Sequence, residues 1–142
     1  SILTLACMVE LSALAEWGDV EGFENRAQWF LAEAPPRIGA ELPICTVKRL
    51  RAKIFLRQGK PAEALQMLSN VIGWYHEHGY RWMEFECLTL QLVGLEKTGQ
   101  ETVTTRQRIN EILDEIENGL DDAPILFEWQ RFWEQHQSGQ PE

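Results

Sequence analysis

The chain has 142 residues, 44% of them apolar and 25% charged, and carries a net charge of −9. That balance suits one ordinary globule with a sizeable core, and it disfavours nucleic-acid contact, which needs a net basic face to neutralise phosphates. No apolar run approaches the roughly 20 residues that span a bilayer, and three dispersed cysteines, Cys7, Cys45 and Cys87, suit buried apolar roles in a reducing cytoplasm better than a disulfide framework.

The opening stretch from Ile2 to Val9 resembles a signal core but lacks a basic leader and runs on into helix. A start at Ser1 rather than Met raises the expectation of a segment cut from a longer protein, Ser1 being a cloning remnant, with functional parts outside it. The first helix, about Ile2 to Trp17, is apolar nearly all round through Leu3, Leu5, Ala6, Val9, Ala13 and Leu14. Such a helix is expected to be covered on several sides, by continuing repeats or by a second copy in a homodimer. The second helix starts at Asp19, a good N-cap, repeats Val20, Phe23, Ala27, Phe30 and Leu31, and stops before Pro35 and Pro36. An irregular stretch from Ala34 to Pro43 follows.

The third helix is expected from about Ile44 to Gln58, with Val47, Leu50, Ile54 and Phe55 inward. Gly59 closes it and Pro61 opens the fourth, the favoured order at a helical hairpin. The fourth carries Ala64, Leu65, Leu68, Val71, Ile72 and Tyr75 on one side and stops near Gly79. The fifth, about Arg81 to Lys97, buries Trp82, Phe85, Leu88, Leu92 and Leu95, and the sixth runs to about Asn118 on Ile109, Ile112, Leu113 and Ile116. A seventh begins around Asp121 to Pro124, with Ile125, Leu126, Trp129, Phe132 and Trp133 on one face, and caps the last pair.

Three turns, Trp17-Gly18-Asp19, Gly59-Lys60-Pro61 and Thr98-Gly99-Gln100, recur 41 and then 40 residues apart. That period marks stacked helical pairs, none able to bury its apolar face alone. The fold class is therefore all-α: a right-handed α-solenoid of about three helix-turn-helix pairs with a C-terminal capping helix. One domain is expected over residues 1–136, with residues 137–142 a flexible tail.

A solenoid's inner wall comes largely from the first helix of each pair. Alignment through Gly59 places Thr46, Arg49, Lys53 and Leu56 on it; Gly99 places Glu86, Thr89, Val93 and Glu96; Gly18 places Leu5, Met8, Ser12 and Ala15. The wall thus runs from apolar to basic to acidic. Arg49 and Lys53 either clamp a ligand's carboxylate or phosphate, or pair with Glu86 and Glu96 of the neighbouring helix, the second being favoured. The aromatic run Trp74, Tyr75, Tyr80 and Trp82 suits core roles first and a partner site second.

Reactive chemistry is harder to find. His76 and His78 are two residues apart and point about 200° from each other on a helix, unlike an i, i+4 zinc pair. No serine or cysteine has a nucleophile's context, His136 falls at the edge of the tail, and Asp114, Glu115 and Glu117 read as a solvated face. The expectation is a non-enzyme with no metal and no cofactor.

The middle pair, RLRAKIFLRQGKPAEALQMLSNVIGWYHEHG, resembles a tetratricopeptide-type repeat, with Ala52, Gly59 and Ala64 at the places where such repeats put small residues and the turn glycine. The matching places hold Leu11 and Phe23 in the first pair and Leu92 and Thr104 in the third. The succession AQWFLAEAPP, KRLRAKIFLRQGKPAEALQML and ECLTLQLVGLEKTG is similar to the helical-repeat region of large LuxR-type transcriptional activators, the family typified by the maltose-regulon activator. The resemblance covers about residues 10–100 and implies a cytoplasmic sensor arm of a larger regulator, binding an inducer or a regulatory protein on its concave face. The site it suggests comprises Arg49, Lys53, Trp82, Glu86, Thr89 and Glu96. Neither GxxxxGK[ST] nor a recognisable DNA-binding helix-turn-helix occurs, so ATP and DNA binding are not assigned to this chain. The alternatives are a stand-alone scaffold holding a partner's peptide or helix, and a regulatory arm of a multidomain signalling enzyme.

Overall fold

A computed structural model describes residues 2–34, 39–119, 131 and 133–135. Among these the chain is all helical, with no strand. It divides into two compact units, Ser1–Thr102 and Val103–Glu142.

Among the described residues the first unit holds six helices: α1 (Ile2–Trp17), α2 (Val20–Glu33), α3 (Glu41–Arg57), α4 (Pro61–Leu68), α5 (Val71–Glu77) and α6 (Arg81–Lys97). Asp19 caps α2 by accepting a hydrogen bond from the Gly22 amide at 3.0 Å. At the end of α3, Gly59 takes φ 72°, a left-handed conformation that glycine adopts without steric cost. Its amide donates to the Leu56 carbonyl, and that of Lys60 reaches Phe55 at 2.8 Å, the paired bonds of a Schellman cap. The same bonding closes α1 at Gly18, α5 at Gly79 and α6 at Gly99.

Two boundaries depart from expectation. Helix α3 begins at Glu41 and not Ile44, because Pro43 falls in the first turn, where a missing amide costs no helical hydrogen bond. The expected fourth helix is two, α4 and α5, separated at Ser69 and Asn70. Ser69 turns both its amide and its hydroxyl onto the Gln66 carbonyl, the local competition that makes such residues poor in helix interiors.

Helix α3 is the hub. It packs on α1 and α2 at one side and on α4, α5 and α6 at the other. One core cluster joins Leu11, Phe23, Ala27 and Phe30 to Val47, Leu50 and Ile54, tying the first pair to α3. The other gathers Ala52, Ala64, Leu68, Val71, Tyr75 and Cys87. Ala52 and Ala64 are fully buried, and the absence of bulk there lets α3 and α4 approach closely. Gly94 does the same for α4 and α6: an added Cβ would lie 2.9 Å from Leu65 Cδ2. All three cysteines are buried and free of disulfides, and burial pushes the Cys87 thiol far above its ordinary range.

In the second unit, α7 (Val103–Gly119) buries Thr105, Ile109, Ile112, Leu113 and Ile116. Trp133 is buried and donates from Nε1 to Asn110 Oδ1 at 2.9 Å, with the Arg106 guanidinium 6.0 Å from its ring centre. Most of the expected seventh helix, the Pro35-Pro36 stop and the tail lie outside the described residues.

Candidate functional site

Residues of α1, α3 and α6 come together through ion pairs along one flank of the first unit. Glu16, near the end of α1, receives Lys53 Nζ at 2.6 Å and Arg57 Nη2 at 3.0 Å; Arg57 also donates to the Glu16 carbonyl. The bond from Lys53 leads the causes that hold the Glu16 carboxyl below the usual carboxylate range. Across the hub, Arg49 donates from Nη1 to Glu86 Oε2 of α6 at 2.9 Å and from Nε to the Tyr75 hydroxyl of α5 at 3.3 Å. Arg49 is only 7% exposed. Burial is the largest single influence and opposes its charge, but the Glu86 carboxylate, the Tyr75 hydroxyl and Cys87 together outweigh it and hold the guanidinium pKa above its usual value. Burial likewise raises the Tyr75 phenol, against the pull of Arg49.

Helical spacing then assigns neighbours. Arg49 and Lys53 stand four apart on α3; Trp82, Glu86, Thr89, Val93 and Glu96 follow at three- and four-residue steps on α6. The Arg49–Glu86 bond joins these two stripes, so five of the six suggested residues are tied to Arg49 by a bond or by helical register. The basic residues are not an open anion clamp. Arg49 is paired with Glu86, the favoured alternative, whereas Lys53 turns to Glu16 and not to Glu96. Thr46 and Ala15, placed on the wall by alignment, are fully buried instead. Thr46 donates to the Leu42 carbonyl at 2.8 Å.

Sequence reasoning passed over two participants. Tyr75 read as part of its helix's apolar stripe and of the aromatic run, yet its hydroxyl accepts a hydrogen bond from Arg49 Nε. Glu84 is 1% exposed and meets His76 Nδ1 and Arg81 Nη1, each at 3.3 Å, although a glutamate in a helix ordinarily signals solvent. His78 is bonded instead to the Trp74 carbonyl at 2.9 Å and stacks on the Trp74 ring at 4.2 Å. Tyr80 lies 5.6 Å from the same ring at 13°, and Tyr75 meets both rings edge-on.

Among the described residues no group of three or more His, Cys, Asp or Glu is arranged to hold a metal ion, and no helix is long and apolar enough to cross a membrane. On the flank of α1 away from the core, Leu5 and Val9 are each 62% exposed, and Leu3 is 53% exposed. Set against protein-family models, curated proteins and solved structures, the chain matches none.

Proposed function

We propose that this chain is a non-enzymatic, tetratricopeptide-like interaction domain, the sensor arm of a LuxR-type transcriptional regulator. It docks a protein or small-molecule effector on the wall formed by α1, α3 and α6. Differential affinity for two states of the parent protein would move its switch, since a ligand shifts an equilibrium only by binding one state better. The observation that carries the reading is the pair of cross-helix bridges, Glu16 to Lys53 and Arg49 to Glu86, which align the first helices of successive pairs side by side. Packing of α3 on both α1 and α6 supports a stack of helical pairs, as the right-handed α-solenoid expected from the turn spacing requires.

Exposed apolar residues on α1, Leu5 of the wall and Val9 beside it, favour a second reading, a scaffold whose partner rests on α1 alone. Photo-crosslinking in the source cell separates the two. A photoreactive residue at Ser12 or Thr89, on the wall, should capture a partner that the same group at Gln28 or Glu63 does not. Capture at Val9 and Ser12 without capture at Thr89 supports the scaffold, and equal capture from all positions contradicts docking on the wall.

A further inference from the structure

The buried ion pair at the centre of the wall is incompletely bonded, and what it leaves open has a definite chemical pattern. Arg49 spends Nε on Tyr75 and Nη1 on Glu86; among the described residues Nη2 has no partner. Glu86 accepts through Oε2, and Oε1 has no partner there either. Among the described residues no buried side-chain nitrogen or oxygen lacks a hydrogen bond, so both free atoms retain access to solvent. The Arg49 side chain is nevertheless only 8% exposed and that of Glu86 28%. Two held side chains thus offer a donor nitrogen, Nη2, and an acceptor oxygen, Oε1, each a single atom away from the bonded pair.

Charge decides which groups can use them. A carboxylate or phosphate that met Nη2 would also meet the Glu86 carboxylate, and like charges at such range disfavour binding. An ammonium or guanidinium that met Oε1 would face Arg49. The pair is neutral overall and suits a neutral group with an acceptor and a donor side by side. A backbone peptide group does not qualify, because the trans geometry sends its carbonyl and amide hydrogen in opposite directions. A primary carboxamide does: its oxygen and the syn N–H point the same way.

We propose that Arg49 and Glu86 form a carboxamide-recognition site, which receives the side chain of an Asn or Gln in a peptide segment of the partner. Arg49 Nη2 donates to the amide oxygen, Glu86 Oε1 accepts from the amide nitrogen, and Tyr75 acts as a positioning residue for Arg49. This rests on the proposed docking wall and adds the chemistry of what docks.

The test is selection of a displayed random-peptide library on the full chain, followed by anisotropy with synthetic probes from the winning sequence. Selected peptides should carry an Asn or Gln in common. The Gln probe should bind at least about tenfold more tightly than the same probe with Glu or with N,N-dimethylglutamine, which lacks the donor. In the Glu86→Gln variant, where the acceptor becomes a donor, the preference should move toward the Glu probe. Enrichment of Asp or Glu, equal binding of the dimethylated probe, or no enrichment at all would overturn the carboxamide site. Crosslinking at Thr89 judges the wall independently: acid-preferring peptides captured there remove the carboxamide and leave the wall standing.

Discussion

Removing one half of the Arg49–Glu86 pair strands the other charge in a place with little water. Glu86→Ala should therefore cost about 3 kcal/mol in urea unfolding, whereas the double replacement Arg49→Met with Glu86→Leu should recover most of it. A double variant as unstable as the single one would show that the side chains matter for packing and not for charge. Gly94 offers a second test at this scale. Gly94→Val would drive new atoms into Leu65, already 2.9 Å from a modest Cβ, and should lower stability by about 1–3 kcal/mol. The pairing of Arg49 with Glu86 was legible in the sequence, because aligning the chain through Gly59 and Gly99 sets the two on adjacent helices. That of Lys53 with Glu16 was not: the same alignment through Gly18 matches Lys53 to Ser12, and the long lysine reaches diagonally to a residue one turn further along α1.

At the scale of elements, local chemistry decided what could be foreseen. Helices α1, α2 and α6 begin or end on caps that are written in the chain, such as Asp19 and Gly99. Asp19→Ala should lower stability by about 1 kcal/mol through loss of the bond to the Gly22 amide, as measured by thermal or urea unfolding. An unchanged stability would mean the amide finds water at no cost. The break between α4 and α5 was hidden because the apolar stripe from Ala64 to Tyr75 runs straight through it, while Ser69 and Asn70 weaken the backbone ladder without disturbing that stripe. Pro43 misled for the opposite reason: it reads as a stop, yet within a first turn it is a tolerated beginning.

Across the whole molecule, carboxylates on the first helical pair hold it to the hub. Glu16 on α1 binds Lys53 and Arg57, and Glu24 on α2 binds Arg51 at 2.6 Å. Both carboxyls have pKa values lowered by these bonds. A lowered folded-state pKa gives stability that is present above the ordinary carboxylate range and is lost as pH falls through the folded value. The urea midpoint should therefore decline once pH drops below about 4. Hydrogen exchange should show α1 and α2 loosening before α4 and α6; uniform loss of protection would contradict this coupling. The all-α class was plain from the helical periods, but the electrostatics along α1, α3 and α6 were not, since pairing between distant helices cancels the charge that composition displays.

The central claim is that α1, α3 and α6 present one docking wall. Backbone amide shift mapping of the labelled chain, titrated with the best selected peptide, tests it most directly. The account expects the largest shifts at Ser12, Lys53, Glu86 and Thr89, with Gln28 and Glu63 unmoved. Shifts confined to α2 and α4 would contradict it.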